Sequence, residues 1–280
     1  MEDFLQPFHQ AGCHVETVSI EMQKPYPFPW TSERFFDAMP ESVLGIPQPL
    51  QAFELQENKY DLIILGYQPW YLSPSIPTTA LLKDPGFKAI LKDTPVVTVI
   101  GGRNMWINSQ EKVKRLLNEA KAILVGNVIR MDKNENLTSV VTILYWMLGG
   151  KKDRYLGIFP KPGVADADIY STHIYGKLVL QALQANDYSG LQNNIIAAGG
   201  AFVQWNLMFI ELRAKILFKV WASAIIKKKN RTLWLKFFKY YLMIALFVAS
   251  PIVLLFYMIL VRPFRLKAEK KQKQLFLDIK

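Results

Sequence analysis

The chain has 280 residues, enough for one core domain of roughly 150–200 residues and an appendage. Its charge is uneven: of 34 Lys/Arg and 23 Asp/Glu, residues 201–280 hold 16 and 3, which leaves 18 against 20 for residues 1–200. A near-neutral body with a basic tail argues for an anionic membrane surface and against nucleic acid, and the single cysteine, Cys13, excludes an internal disulfide or a multi-cysteine metal site.

Taken in chain order, residues 2–11 read as the end of a helix stopped by Gly12, and 14–20 (HVETVSI) as a strand. The loop PYPFPW at 25–30 precedes a short helix over 33–44. Residues 60–66 (YDLIILG) and 95–100 (PVVTVI) read as mostly apolar strands covered on both faces, and they flank a helix over 77–91. A helix over 109–120, a strand over 122–129, a helix over 137–148 and a longer one over 166–185 complete the series, with Asp166 as the expected N-cap. Alternating strands and helices predict an α/β fold with an open parallel sheet. Asp132, Asp153 and Arg154 read as solvated loop charges, and Cys13 as structural.

The tail carries its own signals. Residues 240–261 form 22 uncharged positions, about 33 Å of helix, enough for a hydrocarbon core of about 30 Å. Six Lys/Arg flank it on each side, so charge does not orient it, and Pro251 interrupts its middle. It is expected either to span with a kink or to re-enter as a wedge with both ends cytoplasmic. Upstream, 201–226 is apolar but places Glu211, Lys215 and Lys219 at i, i+4 and i+8, one polar stripe along a helix. That helix is expected to lie in the membrane interface, or else to pack on the α/β domain as its last helix. The expected organisation is an α/β domain over 1–190, an amphipathic helix within 191–230, a membrane segment with basic flanks over 231–265 and a basic tail over 266–280. No basic n-region with an apolar h-region opens the chain, so the domain is expected in the cytoplasm, attached to the inner membrane.

Ligands of open α/β sheets bind beyond the carboxyl ends of the strands. One loop there holds Gln68, Pro69, Trp70 and Tyr71, and a second holds Gly101, Gly102, Arg103, Asn104 and Trp106. Together they offer aromatic faces, amides, glycine N–H groups and a guanidinium, a set suited to sandwiching a flat heteroaromatic ring. The alternative is that the aromatics pack structurally and Arg103 faces solvent.

These loops, with PYPFPW at 25–30, MPESVLG at 39–45, YQPWYLSPSIP at 67–77, GGRNMW at 101–106 and FPKPGV at 159–164, resemble a particular group. The group is the flavodoxin-like dialkylresorcinol condensing enzymes of flexirubin and aryl-polyene pigment formation, and the resemblance covers about 1–225. It implies a flavodoxin-like sheet, of which the first strand and phosphate loop are missing. Met1 is then expected to be internal to a protein longer by roughly 20–30 residues, the length of a strand and its loop. The resemblance further implies a membrane-associated component that assists condensation or cyclisation of fatty β-keto thioesters beside a ketosynthase partner. Two other functions are expected alternatives: an FMN-dependent quinone-type oxidoreductase, with FMN binding weakened by the absent phosphate loop, and a non-catalytic membrane scaffold. No metal site is expected, and no residue is assigned as catalytic.

Overall fold

The computed structural model describes residues 1–279. Three helices, α1 (Glu2–Gln10), α2 (Ser32–Asp37) and α3 (Met39–Leu44), precede strand β1 (Ile63–Tyr67). A two-strand ribbon, β2 (Pro69–Trp70) with β3 (Ser73–Pro74), leads to α4 (Ile76–Lys83) and α5 (Pro85–Leu91). Then come β4 (Pro95–Gly102), α6 (Ile107–Glu119), β5 (Ile123–Met131), α7 (Asn136–Gly149), α8 (Asp166–Ile169), α9 (His173–Ala185) and α10 (Leu191–Ala197). The tail is α11 (Trp205–Ile225), a helical run over 231–264 that includes α12 (Arg231–Ile244) and α13 (Ser250–Phe256), and α14 (Leu266–Leu277).

The sheet is parallel, in the order β1-β4-β5. Val96 to Ile100 of the central strand are buried, because helices cover both faces and water reaches neither. A hydrogen-bonded chain ties the strands together. Tyr67 donates to Gln110 Oε1 (2.7 Å), Gln110 Nε2 to Thr98 Oγ1 (3.1 Å), and Thr98 to Asn127 Oδ1 (2.9 Å). Each buried polar group thereby keeps a partner, as burial requires. Two glycines set close approaches. A Cβ at Gly126 would stand 3.2 Å from Ile195 on α10, and one at Gly176 would stand 2.0 Å from the Phe4 carbonyl oxygen, so α9 crosses α1 only with glycine there.

The structure corrects several expectations. Residues 14–20 form no strand. Alternation supplies the pattern, but strand preference acts through pairing, and no strand lies alongside them to complete a ladder. The segment is held by side chains instead: Glu16 accepts from the Tyr60 hydroxyl and from the Gln56 N–H. The helix expected over 77–91 is two helices, because Pro85 pushes Asp84 into an extended conformation, from which it caps α5 through the Phe87 N–H (2.9 Å). The helix expected over 33–44 is likewise divided at Ala38, just before Pro40. That over 166–185 is divided at 170–172, where Asp3 accepts from the His173 N–H (2.7 Å) and the Thr172 hydroxyl (3.0 Å) and starts a new helix. Asp166 is therefore the first residue of α8 and no cap for a long helix; Ala165 holds the N-cap position. Asp132 is buried, not solvated, and accepts from Ser139 Oγ (2.7 Å) and the Asn134 N–H (2.9 Å).

In the tail, α11 packs against α3 and α6. Lys215 and Lys219 are exposed, but Glu211 leaves the expected polar stripe: it is 1% exposed and accepts from the Asn108 N–H (2.7 Å) in the first turn of α6. That helix has no side-chain cap of its own, so the carboxylate satisfies one of its free N–H groups. The helix over 231–264 is long and apolar enough to cross a membrane by length and composition. It continues through Pro251, with a π-helical turn at 245–249 just before the proline, where the missing N–H would otherwise break the ladder.

Candidate functional site

The carboxyl ends of β1 and β4 deliver both expected loops to one side of the sheet. The first closes as a hairpin whose two turn residues, Tyr71 and Leu72, have φ of 49° and 59°. Such a turn normally takes Asn-Gly, and a bulky residue there is strained by about 1–2 kcal/mol. The strain is held by packing: the Tyr71 hydroxyl donates to the Phe35 carbonyl (2.5 Å), and its ring lies 6.2 Å from that of Phe218 on α11. Burial pushes the Tyr71 phenol well above its ordinary pKa.

The second loop turns Arg103 and Asn104 toward α7. Arg103 Nη1 donates to the carbonyl (3.1 Å) and the side-chain oxygen (3.0 Å) of Asn136, and Asn104 Nδ2 donates to the same side-chain oxygen (2.9 Å). Arg103 enters no ion pair among the described residues. Burial lowers its pKa to about 10, partly countered by the charge of Asp132, so it stays protonated at neutral pH. The buried Asn104 Oδ1 has no partner.

Pro69, Tyr71, Arg103 and Asn104 all border one cavity of about 190 Å³. The other expected residues go elsewhere. Trp70 packs edge-on against Tyr26 and Trp30, each 5.1 Å away, and Trp106 is buried in the main core. Gln68 is exposed, and Gly101 has nothing within 4 Å of where a side chain would begin. A Cβ at Gly102 would stand 3.1 Å from the Pro69 ring, so the two loops pass close together. With the loops this close and both tryptophans turned away, the residues do not fit a flavin ring sandwiched between them. Cys13 and His173 lie off the cavity; His173 pairs with Asp3 at 3.2 Å.

Sequence reasoning missed the remaining walls. They come from Val140 and Leu144 of α7, Ala214 and Phe218 of α11, and Leu242 and Leu246 beyond it. It also missed a second concavity of about 740 Å³ that shares Tyr71, Leu72 and Phe218 and is bordered by the charged side chains of Lys83, Lys112, Arg115, Lys215 and Lys219. The run Lys112, Lys114, Arg115 on α6 was the available signal for that cleft.

Comparison with family models, with curated proteins and with solved structures gives no match for this chain.

Proposed function

We propose that the protein works at a membrane on long apolar, oxygen-bearing molecules, as a component of dialkylresorcinol formation beside a ketosynthase partner. In this reading the three strands belong to a flavodoxin-like sheet, and the domain sits on the cytoplasmic face of the inner membrane.

One observation carries the reading: the cavity at the strand ends has Arg103 among its lining, while α7, α11 and the tail supply apolar walls. A β-keto acyl chain has matching chemistry, a carbonyl oxygen at one end and hydrocarbon beyond. Held in a water-poor setting, a guanidinium stabilises charge developing on a carbonyl oxygen during enolisation or cyclisation. The covalent condensation step falls to the ketosynthase, since no cysteine or histidine of this chain borders the cavity.

The tail supports membrane seating, and its contacts favour both ends staying on the domain's side over a kinked span. Phe238 packs with Phe36 of α2, and Tyr257 packs with Phe209 of α11, 3.8 Å between ring centroids. These contacts are 19 positions apart, about 28 Å along a helix, so both ends of the segment rest on the protein. Beyond it, α14 returns to the domain, where the Leu277 carbonyl accepts from Gln192 Nε2 (3.0 Å).

Deleting the coding sequence and examining extracted lipids by chromatography tests the reading. The dialkylresorcinol is expected to disappear, to return with the parent chain, and to stay absent with Arg103→Met. Unchanged product after deletion rejects the assignment.

A further inference from the structure

The cleft beyond Tyr71 gathers five cations, Lys83, Lys112, Arg115, Lys215 and Lys219, against two carboxylates, Glu111 and Glu119. None of the five enters an ion pair among the described residues, and Glu111 is already engaged by Lys114 at 3.2 Å. Lys112 is the fixed member: its half-buried ammonium donates to the Val43 carbonyl and to Ser73 Oγ, both at 2.7 Å. Burial, with Arg115 and Lys219 nearby, lowers its pKa to about 8. Thr79, 2% exposed and with a hydroxyl that has no partner, is among the residues bordering the same cleft. Five cations facing two carboxylates leave an excess of positive charge, and an anion with several oxygens relieves the repulsion among them.

Cleft and cavity share a wall made of Tyr71, Leu72 and Phe218. The left-handed turn at Tyr71–Leu72 is thus the partition between a cationic compartment and an apolar one. Strain of this kind persists where a site requires it.

We infer that cleft and cavity form one site for an amphiphile with phosphate groups at one end and an acyl chain at the other, an inference that rests on the acyl-handling role proposed above. The phosphates sit among Lys112, Lys215 and Lys219. The chain passes the Tyr71–Leu72 turn into the apolar cavity, with its carbonyl toward Arg103. A soluble phosphate-bearing acyl thioester and an anionic phospholipid share this chemistry.

The test uses the full chain in phosphatidylcholine nanodiscs, titrated calorimetrically with octanoyl-coenzyme A, coenzyme A, sodium octanoate and dioctanoyl phosphatidylglycerol. Octanoyl-coenzyme A is expected to bind at least tenfold more tightly than coenzyme A or octanoate alone. Lys215→Gln with Lys219→Gln, both exposed positions, with folding checked by circular dichroism, should abolish the gain from the phosphates. Ala214→Trp should abolish the gain from the chain. If dioctanoyl phosphatidylglycerol shows the same dependence on both variants and the thioester does not bind, the inference holds with a lipid as the source. If octanoate binds but phosphates add nothing and the lysine variant is silent, the inference falls while the acyl cavity stands. If neither chain nor phosphate binds, both readings fall.

Discussion

Phe237 and Phe238 are neighbours in the tail, with the same side chain and the same local composition. Phe238 is fully buried among Phe36, Phe218 and Trp221, whereas Phe237 is 50% exposed. The difference is repeated along the helix. Leu235 and Leu242 are buried on the protein side, while Ile244, Val248 and Phe256 are bare on the other. A hydropathy window weighs both faces alike. What separates them is helical phase, about 100° per residue, together with polar anchors that fix which face turns inward. Arg231 grips Glu41 at 2.6 Å and Asp37 at 2.8 Å, and Lys239 donates to Ser32 at 3.1 Å. The tail is therefore docked along one side and free along the other.

The largest test of that contrast is on the inward face. Phe238→Ala removes a fully buried ring and should destabilise the docked tail by about 3–5 kcal/mol, read as earlier unfolding in denaturant or faster proteolysis at 226–230. No change in either measurement would mean that the helix is not seated on α2 and α11.

The next effect concerns Glu211, which pins α11 to α6. Burial raises its carboxyl from 4.5 to about 7, against the pull of the Asn108 and Ile107 N–H groups and the charge of Lys215. The folded protein then retains a proton that the unfolded chain has released. Stability from this group is greatest below about 4.5, falls as pH rises toward about 7, and is level above that. Glu211→Gln keeps an acceptor for the Asn108 N–H and removes the charge. At pH 8 it should be the more stable protein, by on the order of 3 kcal/mol, and its stability should no longer slope between pH 5 and 7. A slope that survives the substitution would assign it to another group.

The sheet was legible because its strands are mostly apolar and the middle of its central strand is buried on both faces. Residues 60–66, 95–100 and 122–129 are mostly apolar, and the observed strands β1, β4 and β5 fall on them with end shifts of up to three residues. Residues 14–20 show an equally good alternation, yet a strand is a property of two segments, and pairing is not written in either one alone. At the site, Tyr71, Arg103 and Asn104 were within reach of sequence reasoning because they follow strand ends. The partners that enclose them are scattered along the chain, from Phe35 and α7 to Ala214, Phe218 and Leu242, the last three more than 100 positions further on. Glu211 was hidden for the same reason: its spacing to Lys215 matches a solvated stripe, and only the α6 terminus draws it inward.

The smallest effect on the fold, and the sharpest on the contrast, is expected from the outward face. Phe237 and Ile244 are seven positions apart, two helical turns on one side, and are 50% and 60% exposed. Neither has a core to lose, so Phe237→Ser with Ile244→Ser should leave unfolding within about 0.5 kcal/mol of the parent. If this face lies against hydrocarbon, the same pair must weaken partition into vesicles of phosphatidylcholine and phosphatidylglycerol. Full burial of such a side chain contributes about 1.5–3 kcal/mol, and the half still exposed should contribute about 1 kcal/mol each, close to a tenfold or greater loss for the pair. Equal partition with equal stability would leave these residues with no role on either side, and the outward face would then be no membrane surface. A stability loss matching that of Phe238→Ala would instead place them in contact with protein, and the distinction between the two faces would be lost.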